Sequence, residues 1–293
     1  MALRASALRV AARRAGGGAR ARWEPLLRRL SALPERERGL ALVPFEPELV
    51  VFDKDGTLID FKFMWAKWGH AIVDKMEQQG HLDGEGLTKL EQAMGYSRAQ
   101  RVVAPKSALC CSPMHEIEDL CVDTVAQHRG LSRTAAQSVV STVWHMPDVR
   151  SDTRALTDLP ALFSMLREDL GLKIAVCTTD NRKETIETLK LLDALHLIDM
   201  VLCGDEKHVK PKPSAEQLLH ICGSLKVCPS KTIMVGDTIT DMKMARNAKV
   251  GLSIAIPNGA GATEDLMQHG DIILPDMNNV GKLIKLLSAA RLK

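Results

Sequence analysis

The sequence predicts an α/β protein, a doubly wound parallel sheet interrupted by an all-helical insertion. Three observations carry that expectation. Val50-Val51-Phe52 is a β-branched and aromatic run too short for a helix, and it ends in Asp53-Lys54-Asp55-Gly56-Thr57. After residue 150, short apolar segments alternate with amphipathic stretches of about ten residues, the pattern of βαβ units in a parallel sheet. Between residues 61 and 150 only helical spacings occur. The core is therefore expected at residues 48–60 and 151–293 as a Rossmann-like sheet, with residues 61–150 as a helical cap domain entering directly after the first strand's loop.

The chain opens on charge. Residues 1–40 hold ten Arg against three Glu, a local +7 that leaves −4 on the remainder of a chain whose total is +3. Residues 1–23 contain six Arg and no acidic residue, interleaved with Ala and Leu, which resembles a mitochondrial transit peptide. A matrix location is the expectation, with a disordered basic tail on a cytoplasmic protein as the alternative. Residues 23–47 carry Pro34, Pro44 and Pro47 and read as a short helix and a linker. The mildly acidic body gives no electrostatic footprint for nucleic acid. No apolar run approaches the ~20 residues that a membrane span requires. The seven cysteines include no Cys-x-x-Cys pair, and Cys110-Cys111 are adjacent. That usage fits reduced, mostly buried thiols better than a zinc site or a secreted disulfide framework.

After the first strand, Phe63, Trp65, Trp68, Ile72, Val73 and Met76 fall at helical spacing over 61–79, and Gly80 follows as a stop. Residues 86–94, 114–127 and 132–146 read as helices too, with Pro113 near the start of one and Ser132 as N-cap of another. An amphipathic helix over 156–170 closes at Gly171. Strands are then expected at 172–177, 200–203, 232–235, 250–256 and 272–274, and helices at 182–195, 214–222, 241–248 and 280–292.

Chemistry is expected where the strands end, because ligands of open α/β sheets bind at the strands' carboxyl edge. Asp53 and Asp55 are two apart and lean to one side of an extended segment, while Lys54 points to the other. Gly56 lets the backbone turn without a Cβ clash. Two carboxylates this close repel unless a cation lies between them or one is protonated, and either outcome suits catalysis. Thr178 and Thr179 follow an apolar strand and precede a helix, where an anion can be received. Lys210-Pro211-Lys212-Pro213 is a stiffened cationic loop. Asp237 ends a strand in Gly236-Asp237-Thr238-Ile239-Thr240-Asp241, and Asp241 lies in the first turn of a helix.

These four motifs, in this order, resemble the haloacid dehalogenase superfamily of phosphohydrolases, and the Lys-Pro-Lys-Pro and Gly-Asp-Thr wording is most similar to phosphoglycolate phosphatases. The resemblance implies a Mg²⁺-dependent phosphatase of a small phosphomonoester such as 2-phosphoglycolate. It makes Asp53 the nucleophile that forms an aspartyl-phosphate, and Asp55 the general acid and base. Thr57, Thr178, Thr179 and Lys210 would hold the phosphate. Asp53, Asp237 and the main-chain carbonyl of Asp55 would hold Mg²⁺, an oxygen-seeking cation, with Gly56 and Asp241 in support. The implied partner is a small phosphorylated metabolite; a homodimer is left open. A dehalogenase would need neither Asp55 nor a metal. A phosphomutase or other phosphotransferase on the same fold is separated only by product analysis. A non-catalytic binding module is disfavoured, since no Gly-x-Gly-x-x-Gly follows the first strand and carboxylates fill that position. In the cap, Lys62, Lys67, His70, Tyr96, Arg98, Arg101 and His145 are candidate substrate contacts, each more readily explained as a solvated or packing residue.

Overall fold

The computed structural model describes residues 45–257, 259 and 261–289. The expectations for residues 1–40, for most of 23–47 and for the end of the last helix lie outside the described residues.

The core is one six-stranded, all-parallel sheet. Its strands are β1 (Leu49–Phe52), β4 (Lys173–Cys177), β5 (Met200–Leu202), β6 (Thr232–Gly236), β7 (Leu252–Ala255) and β8 (Ile272–Ile273), in the order β5-β4-β1-β6-β7-β8. Every residue of β1 is fully buried, which is why it reads as a continuous apolar run and not as an alternation. The two faces still sort by parity. Val50, Phe52, Ile174, Val176, Ile233 and Val235 belong to one apolar cluster, whereas Leu49, Val51, Ala175, Cys177 and Met234 belong to another. Val50 registers with Ile174 on one side and Ile233 on the other, so β1 lies between β4 and β6. The chain winds outward from β1 through β4 and β5, then returns to start again at β6. That reversal opens a crevice at the carboxyl ends of β1, β4 and β6.

Residues 61–150, the expected cap, lie between β1 and β4. After a π-helical turn at Lys62–Ala66 come α1 (Lys67–Gln78), α2 (Gly84–Met94), the short α3 (Ala108–Cys111), α4 (Met114–Arg129) and α5 (Arg133–Val143). Pro113 and Ser132 take the cap positions expected of them, and the Ser132 hydroxyl accepts the Ala135 N–H. The block is not wholly helical. β2 (Tyr96–Ser97) and β3 (Val102–Val103) pair antiparallel, Tyr96 opposite Val103. Two-residue strands are too short to show a period in the sequence. The expected helix to 146 stops at Val143, because Trp144 is extended and the main-chain carbonyl of His145 accepts the Trp68 indole N–H at 2.6 Å.

The cap's entry and exit run side by side. Asp60 N–H donates to Arg154 O and Leu156 N–H to Leu58 O. A brief α6 (Val149–Asp152) precedes this crossing, and α7 (Leu159–Ser164) with a π-helical turn at Met165–Asp169 leads into β4. The remaining helices are α8 (Arg182–Leu191), α9 (Glu216–Ser224), α10 (Ile239–Asn247), α11 (Thr263–His269) and α12 (Val280–Ala289). All seven cysteines are free thiols, five of them buried. Among the described residues, no helix is long and apolar enough to cross a membrane.

Candidate active site

Asp53 follows the last residue of β1 and stays in register with the sheet, its N–H donating to Val235 O at 2.9 Å. Its carboxylate is buried, and the Lys212 ammonium lies 2.6 Å from Oδ1. The same ammonium lies 2.7 Å from Asp241 Oδ1, so one buried lysine bridges two carboxylates. Asp241 is fixed in turn by its helix: its Oδ2 accepts the Thr238 N–H at 3.0 Å and the Thr238 hydroxyl at 2.6 Å, a capping box at the start of α10. Asp237 follows the last residue of β6 and accepts the Thr57 hydroxyl at 3.2 Å.

Glycines let backbone press against Asp237. At Gly56, with φ +82°, an added Cβ would come 2.2 Å from Asp237 Oδ2, and at Gly259 1.6 Å from the same atom. No side chain fits at either place.

Oxygens of Asp53, Asp237 and Asp241 lie within 4.8 Å of one another. Three buried carboxylates against one lysine leave two negative charges uncompensated. Burial raises the Asp53 carboxyl from 3.8 to about 7 even though Lys212 pulls the other way. Burial, then the neighbouring Asp53 and Asp241, push Asp237 well above its ordinary value. An all-oxygen cluster with a surplus of two negative charges suits a hard divalent cation such as Mg²⁺.

Asp55 lies in different surroundings. It turns away from the triad toward the cap, and the Trp65 indole N–H donates to its Oδ1 at 2.8 Å. The Lys54 ammonium is 3.1 Å from the same carboxylate and 2.7 Å from Asp180 Oδ2. Lys54 is completely buried, and Asp180 and Asp55 outweigh the effect of burial to hold its pKa above the usual lysine value. Burial raises Asp180, offset in part by Lys54.

Several expectations for the site need correcting. Lys210 is not at the site. It is exposed and its ammonium sits 3.2 Å from Glu216 at the start of α9, while Lys212, two residues on, reaches the carboxylates. A Lys-Pro-Lys-Pro run carries no internal signal for which lysine turns inward. Asp241, expected only in support, joins Asp53 and Asp237 as the third carboxylate of the acidic cluster. Thr57 is wholly buried and serves Asp237. Thr178 is likewise buried, its hydroxyl accepting the Asp180 N–H at 3.1 Å, and Thr179 is the neighbour that lines the cleft. Lys54, Asp180 and Trp65 were not singled out from the sequence. Lys54 lies in a bend past the end of β1, where strand alternation no longer applies, and its ammonium reaches Asp55 and Asp180. Trp65 reads as one apolar member of a helical stripe.

Residues 47–249, well over half the chain, match the model of the haloacid dehalogenase-like hydrolases. The chain belongs to the haloacid dehalogenase-like hydrolase family. Its relatives include phosphoglycolate phosphatases: that of Psychrobacter arcticus is 24% identical over 76% of this chain and 89% of its own length. The Nitrosococcus oceani enzyme is 26% identical over 69% of this chain and 81% of its own. The Nitrosospira multiformis phosphoglycolate phosphatase is 30% identical, but the match spans only 58% of that protein and 46% of this one. The fold also matches the crystal structure of a predicted phosphoglycolate phosphatase from Haemophilus somnus, with TM-score 0.59 and 17% identity over 81% of this chain and 98% of the other. As a haloacid dehalogenase-like hydrolase, the protein has its acidic cluster at the sheet's switch point, where the fold places ligands.

Proposed function

We propose that this hydrolase is a Mg²⁺-dependent phosphatase that cleaves a small phosphomonoester through an aspartyl-phosphate on Asp53. One observation carries the reading: two carboxylates two residues apart are kept in different surroundings. Asp53 is tied to Lys212 and faces the acidic cluster, whereas Asp55 is held apart by Lys54 and Trp65. Environments that separate two carboxylates assign them separate roles.

In the first step Asp53 attacks phosphorus, the bond from phosphorus to the alcohol oxygen breaks, and Asp55 supplies the proton that leaves with the alcohol. In the second, water attacks phosphorus, Asp55 takes its proton, and phosphate departs to regenerate Asp53. Lys212 offsets the charge of Asp53 so that an anionic nucleophile can face an anionic ester. The Thr179 hydroxyl is available to a phosphoryl oxygen. Asp53, Asp237 and the main-chain carbonyl of Asp55 would hold Mg²⁺, with Asp241 supporting through Lys212; bound there, the cation would draw charge from the transferring phosphoryl group.

The names of its relatives make 2-phosphoglycolate the first ester to assay. Phosphate release from p-nitrophenyl phosphate and from 2-phosphoglycolate should require Mg²⁺ and stop with EDTA until Mg²⁺ is restored. Undiminished release in EDTA would overturn the metal's part, and no release from any phosphomonoester would overturn the function. We further infer that residues 1–40 direct the chain to mitochondria; a fluorescent fusion of that segment staying diffuse in the cytosol would refute it.

A further inference from the structure

The cleft over Asp53 has two unlike walls. From the core come Asp53, Asp55, Asp180, Lys212 and three threonines; from the cap come Phe61, Trp65, Leu109, Met114 and Ile117, with Cys110, Cys111 and Ser112 beside them. The five apolar side chains are each at most 5% exposed and belong to the large apolar cluster that runs from cap to core. Among the described residues the only cation lining the cleft is Lys212, already committed to two carboxylates. Four basic groups of the cap are engaged away from the cleft. Lys67 pairs with Asp152, His70 with Asp74, Arg98 with Glu77, and Lys106 with Asp265. The cleft is narrow, with about 30 Å³ free between its walls, so a substrate group seated against the cap displaces the water there.

We propose that the alcohol half of the substrate is uncharged and largely apolar, seated on Phe61, Trp65, Leu109, Met114 and Ile117. Esters that carry a carboxylate beside the phosphate, 2-phosphoglycolate included, are then disfavoured. This rests on the phosphatase reading and narrows it. The phosphoryl half meets the charged core wall, where its negative charge has partners. A second anion on the alcohol half would be stripped of water against an apolar wall with no cation to receive it. A methyl in its place packs on the same wall and gains from burial.

Hydroxyacetone phosphate and 2-phosphoglycolate make the test, since they differ by a methyl ketone in place of a carboxylate at nearly the same size. Binding of both to the full-length Asp53→Asn protein with Mg²⁺ should favour hydroxyacetone phosphate by roughly tenfold or more, and kcat/KM of the wild type should follow the same order. Met114→Lys, checked for an unchanged fold by its tryptophan fluorescence, should narrow or reverse the ratio. Equal or tighter binding of 2-phosphoglycolate by Asp53→Asn would overturn the inference, as would an unchanged ratio in folded Met114→Lys. Failure of the phosphatase reading looks different: the wild type would release no phosphate from either ester, whatever the binding ratio.

Discussion

The two walls of the cleft follow opposite rules. On the core side, buried carboxylates and two buried lysines crowd together, and each lysine bridges two carboxylates: Lys212 joins Asp53 and Asp241, and Lys54 joins Asp55 and Asp180. On the cap side the lining is mainly apolar, and among the described residues one polar bond reaches across the cleft, from the Trp65 indole to Asp55. The difference follows from how each wall is built. Strand ends in a parallel sheet deliver polar side chains to one edge at fixed spacing, whereas amphipathic helices deliver the stripe that packs them. On the function proposed above, reaction chemistry would belong to the core, and selection of the alcohol to the cap.

Breaking the core wall should have the largest effect. Asp53→Asn should lower kcat by on the order of 10³-fold or more while phosphoester binding persists. Lys212→Met should lower kcat/KM by about 10²–10³-fold, since it removes the charge that faces the transition state. Lys210→Met, which loses only an exposed pair with Glu216, should stay within about twofold of wild type. Steady-state kinetics on the two lysine variants decides between them; equal losses would mean that the loop rearranges on binding and the inward lysine is not fixed.

That pair of variants also marks how far the sequence reaches. The sheet, its parallel winding and the insertion after β1 were legible because buried strands and amphipathic helices have different periods. Asp53, Asp55 and Asp237 were legible because each follows an apolar run. Lys212 was not separable from Lys210, because both are lysines flanked by proline in one loop. The contact of Lys54 with Asp55 was not legible, because strand alternation ends at Phe52 and Lys54 lies in the bend beyond it. Asp180, one residue past Thr179, becomes notable only once Lys54 is known to reach it. Trp65 follows the rule for packing residues and departs from it at a single nitrogen.

Charge on the core wall also predicts how stability responds to pH and metal. Burial holds the Asp53 carboxyl at about 7 and Asp237 well above the usual 3.8, so the metal-free native state keeps protons that the unfolded chain has released. Between about pH 4 and 7 the unfolded state binds fewer protons, and stability falls as the pH rises. A cation on the ionised cluster reverses that penalty. Adding Mg²⁺ should therefore raise Tm by a few degrees near pH 7.5 and by clearly less near pH 5. Thermal melts at the two pH values with and without Mg²⁺ make the check, and an increment that is larger at the lower pH would contradict this account of the cluster.

A smaller loss than that of Asp53 or Lys212 tests the bond from Trp65 that joins the walls. Trp65 packs edge-on against Trp68, with ring centroids 5.8 Å apart, and donates to Asp55 Oδ1. Trp65→Phe keeps a ring in the same place and removes the donor. A hydrogen bond to a charged group contributes about 1.5–3 kcal/mol, but Lys54 still holds Asp55, so the loss should sit near the lower end, roughly tenfold in kcat. Lys54 itself is a poorer probe, because its removal would leave the buried Asp180 carboxylate without its cation. If the indole orients Asp55 for proton delivery, the loss should be greater for an alkyl phosphate, whose alkoxide needs the proton, than for p-nitrophenyl phosphate, whose phenolate leaves without it. Equal losses on both esters would mean that Trp65 acts through packing alone.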